Sequence, residues 1–119
     1  MQYMALIYAE DNVSPNPGDP GFDAYMDGYF SATKTMEEKG VLLGGEALQD
    51  TSTATSIRIR DGKTETMDGP FAETKERLGG YYLLDCKDLD QAIEMASLIP
   101  DAKYGTVELR PIMVIEMPE

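Results

Sequence analysis

Histidine is absent from this sequence, and cysteine occurs only once, as Cys86. A single thiol forms no internal disulfide, and without imidazole partners it builds no zinc or haem site within one chain. Nothing is present to activate it as a nucleophile either, so Cys86 reads as a small, partly buried residue at a strand end. No cofactor is therefore expected, although carboxylates remain able to hold Mg²⁺ or Ca²⁺. Positive charge is also scarce: ten Lys and Arg stand against 22 Asp and Glu, a net charge of −12. That balance repels phosphate backbones and anionic bilayers, which argues against nucleic acid and membranes as partners. Long apolar runs are missing as well. None approaches the roughly 18–20 residues of a spanning helix, and the apolar amino-terminal run lacks a basic flank, so a cytoplasmic location is expected.

What remains is material for one domain over residues 1–119, because 42% hydrophobic residues is enough for one ordinary core. Tyr3 to Ala9 is nearly all apolar, the pattern of a central strand buried on both faces. Glu10 to Gly21 follows with three prolines and reads as a solvated connection, either a plain linker or a lid. Phe22, Tyr25, Met26, Tyr29, Phe30, Thr33 and Met36 recur with helical spacing until Lys39-Gly40. This stripe serves core packing or walls a planar ligand, and the hydroxyls of Tyr25 and Tyr29 need partners if buried. Val41 opens a second strand, in which Gly44-Gly45 signals a bulge or a close approach.

Thr55 to Arg60 and Lys63 to Met67 form a hairpin through Asp61-Gly62, with Ile57 and Ile59 on one face and Arg58 and Arg60 on the other. Those arginines make exposed ion pairs or attract an anion. Gly79-Gly80 introduces a strand over Tyr81 to Cys86. Asp88 and Gln91 then cap a second helix running to Pro100, Asp101 to Gly105 is a polar turn, and Thr106 to Glu116 is the last strand, with Pro111 at an edge or bulge. This order fits α+β.

The densest chemistry lies in Met67-Asp68-Gly69-Pro70-Phe71-Ala72-Glu73-Thr74-Lys75-Glu76. Gly69 tolerates positive φ and Pro70 is rigid, so Asp68 to Phe71 is a defined turn, with Phe71 folding back as its anchor. Asp68, Glu73, Lys75 and Glu76 are the candidate catalytic residues, close enough to share protons or grip a polar ligand. They are expected to line a pocket with Tyr25 or Tyr29 facing them, and Glu46 and Phe71 join the tyrosines as candidate ligand contacts. The opposing reading makes the charged residues a brace for the loop.

Asp68-Gly69-Pro70-Phe71 and the residues after it resemble the signature of the DGPF-domain branch of the YCII-related family. Met1 to Tyr8, Gly44 to Leu48 and Val107 to Ile112 extend the resemblance along the chain. It implies a ferredoxin-like βαββαβ unit, here with an inserted hairpin, pairing into a dimeric α+β barrel. Members of this branch are often encoded beside sigma factors, and some distant relatives are enzymes with a His–Asp pair that this chain lacks. Two helices cover only one sheet face, so a homodimer is expected on physical grounds too. Three functions stay open: a small-molecule-binding or regulatory homodimer, an acid–base enzyme of lyase or isomerase type using the 68–76 loop, and a purely structural role for that loop.

Overall fold

The computed structural model describes residues 1–118. Four strands form one antiparallel sheet: β1 (Gln2–Ala9), β2 (Leu42–Ala47), β5 (Arg77–Asp85) and β6 (Thr106–Pro111), in the spatial order β2-β5-β1-β6. Helices α1 (Phe22–Glu38) and α2 (Leu89–Ala96) complete a ferredoxin-like α+β fold, and the short α3 (Asp101–Tyr104) precedes β6. β3 (Thr55–Arg60) and β4 (Lys63–Asp68) stand apart as a two-stranded hairpin inserted between β2 and β5.

One face of the sheet meets the helices. Tyr3, Ala5 and Ile7 of β1 and Leu84 of β5 are buried there with Ala32 and Met36 of α1 and Ala92, Met95 and Ala96 of α2. Alternation then turns Met4, Leu6 and Tyr8 to the opposite face, where they are only half-buried. The expectation of a strand buried on both faces is corrected accordingly, since a single chain supplies no second layer.

Three boundaries also differ from those read in the sequence. β5 begins at Arg77, four residues before Tyr81, because the glycine pair lies within the strand: Ile7 pairs Gly80 and Tyr8 pairs Leu78, so Gly79 is the extra residue of a bulge. α2 ends at Ala96, and tighter bonds from Leu98 N to Met95 O and from Ile99 N to Ala96 O carry the chain to Pro100. Residues 101–104 are then helical rather than a polar turn, with Asp101 buried.

β6 stops at Pro111, with one further bond from Ile112 N to Gln2 O, so the long final strand ends where its neighbour does. Met113, Val114, Ile115 and Met117 lie exposed beyond it. The hairpin turn follows its chemistry, with Asp61 at φ 52° and Gly62 at φ 73°, both in the left-handed region that a two-residue turn requires. Gly69, at φ 96°, gives its N–H to Ala54 O at 2.7 Å, pinning the next turn to the foot of β3.

Leu84 is fully buried against both helices. Leu84→Ala is expected to remove about 2–5 kcal/mol of stability, seen as a lower urea midpoint at an unchanged slope.

Candidate functional site

α1 does not lie flat on the sheet along its whole length. Its carboxy-terminal half buries Ala32 and Met36, while its amino-terminal half stands off β5 and opens a cleft of about 470 Å³. Tyr25, Met26, Tyr29, Phe30 and Thr33 form the helix wall, with Ile7, Gly80 and Tyr82 beneath them. Glu46 to Thr51 and Arg77 close the far side. Thr33 Oγ1 and Tyr82 Oη lie 2.8 Å apart, which ties helix to strand at the inner end.

A carboxylate organises the opposite end. Asp101 is 6% exposed, and three hydroxyls donate to it: Ser14 to Oδ1, Tyr25 to Oδ2 at 2.5 Å, and Tyr29 to Oδ2. Residues 25 and 29 are one helical turn apart, so both phenols reach the same oxygen. Gly28 lies between them in sequence and lets α3 approach. A Cβ at that position would sit 2.9 Å from Pro100 Cγ, and Pro100 immediately precedes Asp101. The tyrosine rings meet edge to face at 5.4 Å between centroids, and Tyr104 packs on Tyr25 at 5.9 Å.

Burial, reinforced by the bond to Asp101 and its negative charge, pushes the Tyr25 hydroxyl up to about 12. The same causes push Tyr29 well above the ordinary phenol range. Both tyrosines are therefore neutral proton donors near pH 7, and neither is a phenolate base.

Arg77 lies on the far side of the cleft. It donates to Thr51 Oγ1 at 2.7 Å and pairs with Asp11 at 3.4 Å. The 10–21 connection thus crosses the mouth, with Asp11 held by Arg77 and Ser14 held by Asp101.

The candidate residues of the 68–76 loop fall elsewhere. Asp68, Glu73 and Lys75 are exposed, and none of them lines the cleft with Tyr25 and Tyr29. Lys75 pairs with Glu10 at 3.3 Å, and Glu76, half-buried, accepts from Thr106 Oγ1 at 3.0 Å. Those contacts fasten the loop to the end of β1 and the start of β6. Phe71 does not anchor its turn in the core: it is 76% exposed, with the Arg58 guanidinium 5.6 Å from its ring centre. Arg60 donates to Ile59 O.

Of the residues expected to contact ligand, Tyr25, Tyr29 and Glu46 line the cleft and Phe71 does not. Asp101, Ser14 and Arg77 escaped the sequence reading. The available signal was the pair of tyrosine hydroxyls, which required a buried acceptor that no spacing rule locates. Cys86 is buried, and burial, with Asp85 nearby, pushes its thiol up. Among the described residues no group of three His, Cys, Asp or Glu is placed to hold a metal ion. No helix there is long and apolar enough to cross a membrane.

A ferredoxin-like α+β domain with a cleft between its first helix and its sheet is the class that this geometry defines. The chain belongs to the YCII-related family, since the YCII-related domain matches residues 1–116. It is also similar to an uncharacterized protein of Rhizobium meliloti (strain 1021), 35% identical over 114 residues that cover 94% of this chain and 92% of the relative.

The buried hydroxyl cluster has a measurable signature. The sign follows from the raised pKa of Tyr25: its neutral form is favoured on folding, so that contribution is complete below the ordinary phenol pKa of about 10 and is lost as pH rises from there to about 12. In an alkaline titration at 295 nm, two of the seven tyrosines are expected to ionise late. Tyr25→Phe is expected to remove one late transition. Seven tyrosines titrating together in the folded protein would contradict the cluster.

Proposed function

We propose that this protein binds a small molecule in the cleft between α1 and β5, and that it works as a homodimer. The observation that carries the reading is the cleft itself, an apolar and aromatic cavity with one convergent polar cluster, which is the usual make-up of a small-molecule site. Acid–base catalysis by Asp68, Glu73, Lys75 and Glu76 finds less support. Three of the four are exposed, and the loop lacks the burial that readies a carboxylate or lysine for proton transfer near neutrality.

Support for the dimer comes from surface that one chain leaves uncovered. Met4, Leu6, Tyr81 and Leu83 share the sheet face away from the helices, and each is only half-buried. The apolar side chains at 113–115 and 117 are exposed, as are Ile57 and Ile59. The radius of gyration is 16.6 Å, against about 13.5 Å for a compact domain of this length by the usual scaling. A second copy covering the open face, with the hairpin and tail reaching across, accounts for all of these.

Two measurements check the two parts. A neutral solvatochromic dye such as Nile red is expected to bind wild type, and Met26→Trp, which fills the cleft, is expected to abolish that binding with the far-ultraviolet circular dichroism unchanged. Full dye binding by the folded variant would move the ligand site elsewhere. Sedimentation at micromolar concentration is expected to give twice the 13.1 kDa chain mass, and a stable monomer would remove the dimer from the reading.

A further inference from the structure

We infer that the cleft selects a ligand with a protonated amine head and an apolar body, the ammonium seated at the Ser14, Tyr25, Tyr29 and Asp101 cluster. The inference rests on the cleft reading above and follows from counting protons. A serine or tyrosine hydroxyl has one proton and oxygen lone pairs. Ser14, Tyr25 and Tyr29 each direct that proton at Asp101, so what they retain for a visitor is lone pairs. Asp101 is itself acceptor-only when ionised, and its Oδ1 takes a hydroxyl from Ser14 alone, leaving a further acceptor position.

This end of the cleft is consequently rich in acceptors, beside a carboxylate that is 6% exposed. A ligand carboxylate or phosphate placed there meets lone pairs and a like charge. An ammonium brings three donors and an opposite charge, and charge-assisted hydrogen bonds are the strong kind.

The donors on the opposite side do not reverse this preference. Arg77 uses Nη1 for both Asp11 and Thr51, and its single positive charge stands against the carboxylates of Asp11, Glu46 and Asp50 in the same lining. Phe30, which is 64% exposed, and Met26 offer the apolar body a surface. A small aryl or alkyl amine therefore meets complementary chemistry at both of its ends.

Three probes of matched size test the inference on the full chain at pH 7: 2-phenylethylamine, 2-phenylethanol and 3-phenylpropionate, each titrated against the dye bound to wild type. The amine is expected to compete about tenfold better than the alcohol, the effect of one charge-assisted hydrogen bond, and the carboxylate is expected to be weakest. In Asp101→Asn the amine is expected to fall to the level of the alcohol while the alcohol is unchanged. Should that variant fail to fold, the ranking on wild type decides alone. Equal competition by all three, or preference for the carboxylate, overturns the amine assignment and leaves the cleft standing. Failure of all three to displace the dye also overturns it, whereas the cleft reading falls only if dye binding survives Met26→Trp.

Discussion

The arrangement of the cleft depends on one buried carboxylate. Removing Asp101 from water without partners would cost several kcal/mol, and its three hydroxyl donors make the burial tolerable. Each donor belongs to a different part of the cleft or a different turn of its wall: Ser14 to the 10–21 connection, Tyr25 and Tyr29 to successive turns of α1. The charge therefore gathers the helix, the connection and α3 at one point. Gly28 is the steric condition for this, because any side chain there would meet Pro100. The interaction is local, yet it holds the amino-terminal half of α1 at its distance from β5.

A second tether acts from the far side and is of a weaker kind. Arg77, Asp11 and Thr51 are partly exposed, and such pairs contribute about 0–1 kcal/mol in water. Lys75, which pairs with Glu10, is more exposed still. The 10–21 connection is thus held firmly where Ser14 meets Asp101 and loosely where Glu10 and Asp11 meet their cations. The 68–76 loop belongs to this peripheral system. Its charges brace the edge of the cleft through β1 and β6 and do not face the cavity.

Much of the fold was legible because its signals are local. Hydrophobic spacing marked α1, Asp61-Gly62 marked the hairpin, and Asp88 with Gln91 marked the start of α2. The errors came where long-range pairing decides. The end of β6 depends on where β1 stops offering partners, and the start of β5 depends on a bulge opposite Ile7 and Tyr8. The site was legible only in part for the same reason. Tyr25 and Tyr29 announced a need for an acceptor, but Asp101 lies more than 70 residues away on an element of four residues. The 68–76 loop drew attention through charge density, yet charges close in sequence mostly face water or one another. A single acid behind Leu98-Ile99-Pro100 carries less local signal and more structural consequence.

The absence of histidine takes on a specific meaning beside this geometry. An imidazole in such a cleft would exchange protons near neutral pH. Here the polar end consists of a carboxylate and phenols whose protons are held more tightly than in water, with Tyr25 pushed up to about 12. Phenols so weakly acidic keep their protons across the neutral range. The phenol protons and lone pairs at the polar end therefore keep one pattern over that range. The same bonds that stabilise the buried carboxylate thus fix the direction of each hydroxyl proton.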